Sequence, residues 1–374
     1  MDYARTGRFS AYCATIAAIV VTLQVAPTTA IAATSVLVVP TQYATIQSAV
    51  DAANPGDRIR ILAGTYIEQV SINKDLDITG AGVDSTVIRP PADLVSGPVF
   101  GGSTSIVEIY GGANVALSRL SVSGPGLKSC EDGSLGNGIA VFDGAHLELT
   151  LSAVTHIHDT PLANCFPGGL GIVVGDPFST NATATIRQSE ISDFAGVGII
   201  VFNEESSAVI LNNVITGPGL SPIVATGGVE MIFGAGAIIS HNTISGNACG
   251  SADLGCGPDF FNEFRVGAIS GGGPGTVISN NVLHGNQVGI YVVDTAEISQ
   301  NVIVDNHYFG MALQDGSFKV SHDEISGGYG AIAVIAAFAD AQAVLDHEKI
   351  GATAGAPVQT FQCCGFTATV VGGL

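Results

Sequence analysis

Apolar and polar residues alternate along residues 276–306 in a pattern that occurs twice. The segment ISNNVL at 278–283 returns as ISQNVI at 298–303, a shift of 20 residues. An alternation with a period of two is typical of β-strands. A repeat of this length is too short to bury its own apolar side, so it must stack on copies of itself. The pattern predicts a solenoid of β-strands with one coil per repeat.

A helical pattern precedes the first strands. Ile46, Ala49, Val50 and Ala53 recur at the spacing of one helix face, and the pattern ends at the turn residues 54–56. The spacing therefore predicts a short amphipathic helix. A helix in front of the first coil would cover the apolar end of the stack, which otherwise offers open strand edges.

The residues around this helix resemble a known family. IQSAVDAANPGD at 46–57 and GTYIE at 64–68 resemble the N-terminal cap of right-handed parallel β-helix proteins, and the repeat at 276–306 is similar to that superfamily's repeat. Its members include pectate lyases, pectin methylesterases, alginate epimerases and the periplasmic nitrous-oxide-reductase maturation protein. The resemblance spans roughly Val38 to Ile350. It implies an all-β fold, a single-stranded right-handed parallel β-helix with a short N-terminal capping helix, but no particular activity.

The repeat at 276–306 sets a register for the other coils. One column comprises Leu120, Ser152, Ser189, Asn213, Asn242, Asn281, Asn301, Asp323 and Glu348. An apolar column two places later comprises Val122, Val154, Ile191, Ile215, Ile244, Leu283, Ile303, Ile325 and Ile350. Stacked asparagine amides can hydrogen-bond to one another, because each has two donor hydrogens and an acceptor oxygen. We therefore expect the asparagines to be structural and the apolar column to lie in the core.

The spacing along the asparagine column varies from coil to coil. The shortest intervals, 20 residues from 281 to 301 and 22 residues from 301 to 323, define a minimal coil. In the longer intervals, the residues beyond those of a minimal coil lie mostly just after the apolar column, at 123–137, 155–168, 216–236 and 245–266. Insertions at one phase of a solenoid project from one face, which is often the binding face. The pattern predicts a wall of loops beside a floor of short coils, and hence a cleft.

The N-terminal residues have the order of a secretory signal peptide. Arg5 and Arg8 precede an apolar run at about 11–26 and the small-residue sequence Ala30-Ile31-Ala32. An uncleaved membrane anchor is the alternative, but the apolar run is short of the ~20 residues that a spanning helix needs. We expect a signal peptide at 1–32, a single β-helix domain at 33–374, and a secreted or periplasmic protein that has no membrane contact after cleavage.

The charge of the chain limits its partners. Asp and Glu number 32 against 12 Lys and Arg, and the net charge is −20. Such a field repels nucleic acid, so we expect no nucleic-acid partner. It also disfavours polyanionic polysaccharides unless a metal ion such as calcium bridges them. Calcium is therefore the cofactor to consider, and the oligomeric state stays open.

Six cysteines follow the expected signal peptide, and export permits disulfides. Cys130 and Cys165 lie at the same loop phase in neighbouring coils, and Cys249 and Cys256 lie in one loop. A disulfide within each of these sets is a hypothesis, because sequence does not determine connectivity. The adjacent pair 363–364 leaves three alternatives: a vicinal disulfide, free thiols, or a bond to a partner chain.

Candidate catalytic residues gather in the predicted loops. They are Asp132, His156, His158, Asp159, Asp259, Glu263, Arg265 and His307. His156 and His158, two residues apart in a strand, would place both rings on one face beside Asp159. That arrangement suits a general base oriented by an acid, or a single metal ion. The alternatives are ordinary surface histidines at a strand end and, for His307, stacking on a neighbouring coil rather than facing the loops.

The catalytic motifs of the resembled enzymes are largely absent. Alginate epimerases carry Asp-Pro-His, whereas here Asp176-Pro177 is followed by Phe178. The chain has no Trp for the Arg-Pro-Trp motif of pectin methylesterases. No activity of a subfamily can therefore be transferred residue by residue.

Two functions remain after this comparison. The first is an exported β-helix protein that binds or acts on a polysaccharide or cell-surface glycan along the loop-walled face, as a lyase, epimerase or glycoside hydrolase. The second is a non-catalytic scaffold, adhesin or maturation factor. Convergence of the candidate carboxylates and histidines in the structure would favour the first.

Overall fold

A computed structural model describes residues 34–97, 104–128, 134–162, 168–177, 181–224, 226–250 and 267–373. Two units divide the chain, Met1–Ala33 and Thr34–Leu374, and the described residues all belong to the second. Their backbone forms a solenoid in which successive strands build three faces. Each strand pairs in parallel with the equivalent strand of the next coil, so the predicted stacking of β-strand coils is confirmed.

The described strands follow one another around the solenoid as face 1, face 2 and face 3. Face 1 comprises Val70–Ile72, Ser105–Ile109, Asn137–Val141, Leu170–Val174, Val197–Phe202, Gly227–Ile232, Gly267–Gly271, the first parts of Val288–Ser299 and Phe309–Ser321, Gly330–Ala336 and Val358–Gln362. Face 2 comprises Val36–Val39, Asp57–Ile61, Leu76–Thr79, Asn114–Ser118, His146–Thr150, Thr183–Arg187, Ser207–Leu211, Gly236–Ser240, Thr276–Ser279, the second parts of the two long strands, Ala341–Asp346 and Ala368–Gly373. Face 3 comprises Gly64–Ile67, Thr86–Arg89, Ser121–Ser123, Ala153–Ile157, Glu190–Phe194, Val214–Gly219, Thr243–Asn247, Val282–His284, Val302–Val304, Glu324–Ser326 and Lys349–Ile350.

The predicted helix is confirmed as α1, Ile46–Ala52, which precedes the first complete coil. Thr45 and Ser48 form a reciprocal capping box at its N-terminus. Glu68 adds a second cap, because its two carboxylate oxygens accept hydrogen bonds of 2.9 Å from the backbone N–H groups of Ile46 and Gln47. The motif GTYIE thus has a structural role here, since its glutamate satisfies helix donors that have no partner within the helix.

The predicted asparagine ladder lies buried at the corner between faces 2 and 3. Asn281 accepts hydrogen bonds through Oδ1 from the backbone N–H and the Nδ2 of Asn242, at 2.9 and 3.0 Å. Asn281 in turn donates both of these groups to Oδ1 of Asn301, at 3.0 Å each. Its Nδ2 also donates to the carbonyl of Ile239. The column continues upward through Asn213, Ser189 and Ser152 and downward through Asp323 and Glu348.

A second ladder, which the sequence analysis does not identify, lies at the corner between faces 3 and 1. Asn247 donates its backbone N–H to Oδ1 of Asn286 at 3.1 Å, and Asn286 donates to Asn306 at 3.0 Å. Asn286 and Asn306 are related by the same 20-residue repeat as the first ladder. Both corners of face 3 are therefore fixed by buried amides.

The core between the faces is apolar, and close packing controls one of its corners. The predicted apolar column is confirmed by the strand register, which stacks its members from Val122 to Ile350. Glycine recurs as the second residue of face 1 strands, at Gly138, Gly171 and Gly198. A Cβ at Gly138 would lie 2.6 Å from the carbonyl oxygen of Gly171, closer than non-bonded atoms approach. Small residues thus let face 1 pass close to face 3.

The described residues include three of the six cysteines, Cys249, Cys363 and Cys364. Cys363 and Cys364 form a vicinal disulfide, one of the three alternatives that the sequence left open. Cys249 is also disulfide-bonded. Cys130, Cys165 and Cys256 lie outside the described residues. No helix in the described ranges is long and apolar enough to cross a membrane.

The ladder predicts a large effect for a single buried amide. Asn281→Leu removes the acceptor of the backbone N–H of Asn242 and the donor to the carbonyl of Ile239, whereas Nδ2 of Asn242 keeps its bonds to the carbonyls of Ile210 and Ser240. Each unsatisfied buried group costs about 1–3 kcal/mol. We expect the free energy of unfolding to fall by about 3 kcal/mol or more, measured by urea denaturation. Asn280→Gly is the control, because Asn280 has φ 57° and lies outside the ladder. Equal effects of the two substitutions would contradict the structural role of Asn281.

Candidate functional site

Two of the predicted histidines meet a carboxylate on face 3. His156 lies in the strand Ala153–Ile157, and Ile157 pairs with Phe194 of the next coil. His156 and Asp193 therefore occupy equivalent positions in adjacent coils. The Nε2 atoms of His156 and His158 lie 3.5 and 3.4 Å from the same Oδ2 atom of Asp193.

The backbone at these positions has a positive φ. His156 has φ 57° and Asp193 has φ 54°. The equivalent positions of later coils include Gly246, Gly285 and Gly327, which also have positive φ and adopt it without steric cost. The solenoid thus turns sharply at this column, and three described coils place a titratable side chain there, His156, Asp193 and Asp305, where others have glycine.

A chain of hydroxyl groups orients the ring of His156. The hydroxyl of Ser123 donates to the carbonyl of Gly124, and the hydroxyl of Thr155 donates to Ser123 at 3.3 Å. Since the one hydroxyl proton of Thr155 is used in that bond, Thr155 accepts from Nδ1 of His156, at 3.0 Å. The Nε2 of His156 is therefore the ring nitrogen that faces Asp193.

The ring of His158 is held in the same way by backbone. Its Nδ1 lies 2.9 Å from the carbonyl oxygen of Asp159, which can only accept, so Nδ1 carries a proton. In the neutral ring Nε2 has a lone pair that can take up a proton beside Asp193. The side chain of His158 is 16% exposed, against 54% for His156 and 47% for Asp193. The cluster is thus open to solvent on one side and anchored on the other.

Asp159, which the sequence analysis places beside the two rings, has another role. Its carboxylate is buried, and its Oδ1 accepts a hydrogen bond of 2.9 Å from the backbone N–H of Leu135. Burial raises the pKa of Asp159, while the bond from Leu135 and the charge of His158 oppose that shift. Asp159 therefore ties two neighbouring loop segments together, and Asp193 is the carboxylate that contacts the rings.

The structure separates His307 from the pair. The register of face 3 places His307 at the phase of His158 but five coils further along, which is about 24 Å at ~4.8 Å per coil. The side chain of His307 is exposed. His307 therefore does not contact His156 or His158. Asp132, Asp259, Glu263 and Arg265 lie outside the described residues.

The sequence analysis missed Asp193, although the register contained the signal. Val154 and Ile191 are neighbours in the predicted apolar column, so the positions two places later, His156 and Asp193, must also be neighbours. Within the described ranges, no group of three or more His, Cys, Asp and Glu side chains could hold a metal ion. The arrangement instead suits proton transfer, because two bases share one carboxylate.

A shallow depression of ≈ 290 Å³ lies on a different side of the solenoid. Val209 and Ile238 contribute its apolar part, and Glu204 and Glu205 contribute its acidic part. The side chain of Phe233, next to Gly234 at this corner, is 63% exposed and stacks on Phe202. Face 2 carries this depression and face 3 carries the histidines, so the two features are separate.

Residues 170–345 match the family model described as a right-handed β-helix region. The described strands show the parallel coil-on-coil pairing that this description requires. The chain folds as a right-handed parallel β-helix. The β-helix extends beyond the matched residues in both directions, since strands with the same register occur from Val36 to Gly373. No curated protein matches the chain.

Solved structures with the same fold act on polysaccharides. The A-module of mannuronan C-5 epimerase AlgE4 from Azotobacter vinelandii matches with a TM-score of 0.52 and 15% identity, over 87% of this chain and 95% of that chain. The catalytic domain of a GH87 α-1,3-glucanase in complex with nigerose matches with a TM-score of 0.56 and 15% identity, over 92% of this chain and 70% of that chain. At these identities the likeness shows the β-helix fold alone.

The buried carboxyl of Asp159 makes the stability of this β-helix depend on pH. Because the pKa of Asp159 is raised, the folded protein holds this proton more tightly than the unfolded chain does. The protonated carboxyl therefore contributes to the free energy of unfolding at low pH, and this contribution is lost as the pH rises through the folded pKa. Asp159→Asn keeps an acceptor for Leu135 and removes this titration. We expect the unfolding free energy of the variant, relative to wild type, to increase from about pH 4 to about pH 7.

Urea denaturation across this range measures the difference. Asp159→Leu is the matched control: it also removes the titrating carboxyl but lacks the acceptor for Leu135, so we expect the same change with pH at a free energy of unfolding that is lower by about 1–3 kcal/mol throughout. A difference between the asparagine variant and wild type that stays constant with pH would contradict the assignment.

Proposed function

We propose that the protein is exported and acts on a polysaccharide, with His156, His158 and Asp193 as its proton-transfer group. The observation that carries this proposal is the convergence of two imidazole Nε2 atoms on one carboxylate oxygen. Histidines that converge on a carboxylate are an arrangement that enzymes use for general acid–base catalysis. Other β-helix proteins, among them the mannuronan epimerase and the α-1,3-glucanase domain, act on polysaccharides.

The cluster supports removal of a carbon-bound proton better than hydrolysis. Glycoside hydrolases generally place two carboxylates about 5–10 Å apart across the scissile bond, whereas Asp193 is the one carboxylate that contacts these rings within the described residues. We therefore propose a lyase or an epimerase that acts at C5 of a uronate. The more exposed ring, His156, is the one that a bound chain reaches most directly.

Each residue then has a defined role. Nε2 of one histidine takes the C5 proton, and Asp193 stabilises the imidazolium that results. In an epimerase, a proton returns to the opposite side of C5. In a lyase, the electron pair from the C–H bond forms the C4–C5 double bond, the C4–O bond breaks, and the leaving oxygen takes up a proton. Thr155 and the carbonyl of Asp159 keep both rings in the tautomer that presents Nε2.

The charge of the chain bears on the choice of substrate. A net charge of −20 opposes the approach of a polyuronate. A calcium ion that bridges the substrate carboxylate to the protein would remove this repulsion. A neutral glycan would need no such ion, so the effect of calcium distinguishes the two substrate classes.

The test is turnover on a panel of uronate and neutral glycans, with calcium and with a chelator. We expect activity on a uronate polymer, and a loss of about 10²–10⁴-fold in kcat for His156→Gln and Asp193→Asn, the range that general acid–base catalysis supplies. His241→Gln is the matched control, because His241 is exposed at another corner. Glycan binding without turnover would favour the scaffold or adhesin alternative. Turnover that survives both substitutions would place the catalytic group elsewhere.

Export makes a prediction of its own. If residues 1–32 are a signal peptide, the mature protein begins at Ala33, because the small residues Ala30 and Ala32 suit signal peptidase. N-terminal sequencing of protein recovered from the periplasm or the medium measures the start. Protein that retains residues 1–32 in the membrane fraction would support the anchor alternative instead.

A further inference from the structure

The asparagine ladder ends in two carboxylic residues. In each asparagine rung, Oδ1 accepts from the rung above, and Nδ2 donates to the rung below and to a backbone carbonyl. Asp323 takes the next position and reproduces the acceptor half of this pattern, since its Oδ1 accepts from N and Nδ2 of Asn301 at 2.7 and 2.8 Å. Its backbone N–H donates to Oε2 of Glu348 at 3.1 Å.

The donor half of the pattern is vacant at these two rungs. Oδ2 of Asp323 takes the place of an asparagine Nδ2, but it is buried and has no hydrogen-bond partner, and the same holds for Oε1 of Glu348. Asp323 is 0% exposed and Glu348 is 5% exposed. The groups that receive the Nδ2 bonds in other rungs are acceptors. An ionised Asp323 would therefore direct a buried oxygen at other oxygens.

No side-chain cation compensates these carboxyls from within the described core. The charged and titratable groups on the surrounding elements are Glu297, Lys319, His322, Glu324, Asp346, His347 and Lys349. All of them are exposed, and both lysines are engaged, Lys319 with Glu297 and Lys349 with Glu324. The inward residues of face 1 in these coils, such as Leu313 and Val334, are apolar. The positive charge available to the pair is a proton.

We propose that Asp323 and Glu348 form a proton-binding site, in which a carboxylic O–H takes the place of an asparagine N–H and continues the ladder into the last coils. The site is independent of the proposed polysaccharide activity. Protonated, the pair supplies the donor that the rung geometry requires. Deprotonated, the pair leaves two negative charges in adjacent rungs of an apolar core.

The effect on stability has a definite sign. Burial, the largest cause, raises the pKa of Asp323 from 3.8 to about 6. Burial and the neighbouring charge of Asp323 raise the pKa of Glu348 from 4.5 to about 7. Because the folded pKa values lie above the unfolded ones, the contribution is fully present below about pH 4 and is lost as the pH rises to about 7. Each proton retained by the folded state makes the unfolding equilibrium constant rise about tenfold per pH unit in this window.

The experiment compares unfolding of the full chain from about pH 4 to about pH 8 in wild type, Asp323→Asn and Glu348→Gln. Each amide variant supplies a permanent N–H donor. In both variants we expect the unfolding equilibrium constant to change less steeply with pH than in wild type, by about a factor of ten or more per pH unit, because one proton fewer is bound on folding. We also expect Asp323→Asn to be more stable than wild type at the upper end of the range. Infrared spectroscopy of the folded protein gives a second readout, a protonated-carboxyl carbonyl band that disappears on titration and is weakened in either variant.

Two exposed histidines beside the pair provide the control. His322 and His347 stack on each other beside the pair, and His347 also contacts Asp346. In the double variant His322→Gln/His347→Gln, we expect the carboxyl band and the acid-side slope to persist. Loss of the slope in the histidine variant, with its retention in both amide variants, would overturn the proposal. A folded wild type with no protonated-carboxyl band at about pH 5 would overturn it as well.

Discussion

The fold depends on hydrogen bonds that pass from one coil to the next. Strands inside the stack pair with the equivalent strands above and below, and end strands such as Val36–Val39 and Ala368–Gly373 pair on one side. A coil therefore has no stable structure by itself. At the corners the backbone turns away from this pairing, and its N–H and C=O groups would be buried without partners. The side chains of Asn242, Asn281 and Asn301 satisfy those groups. The buried amides therefore decide where the chain can bend.

This constraint explains which features the sequence predicts well. A ladder residue must recur at the same position in each coil. The duplicated segments at 278–283 and 298–303 were therefore sufficient to place the asparagine column and the apolar column from Leu120 to Ile350. The capping helix was equally predictable, because a helical spacing followed by Asn54-Pro55-Gly56 has few other structural interpretations. Periodicity is a local property of sequence, and the parts of the fold that obey it can be predicted without the structure.

The candidate site was less predictable, because it depends on departures from the repeat. The paired histidines were visible at 156 and 158, but their carboxylate partner is 35 residues away from His158 in the chain and becomes a neighbour only through the register. Proximity in sequence favoured Asp159 instead, whose carboxylate bonds to the backbone of Leu135. His307 has the phase of His158 but lies five coils further along. A solenoid brings residues together by phase and by coil number, and both are needed.

Glu68 gives the N-terminal end of the molecule a particular order of assembly. A helix of seven residues has little stability in water, and two of the donors at its N-terminus are satisfied by a residue that follows the helix by more than a dozen positions. During synthesis the helix leaves the ribosome before Glu68 does. The end cover can therefore close only when the strand Gly64–Ile67 is in place, so the first coil and its cover form as one cooperative unit, and the open edge on which later coils are added points toward the C-terminus.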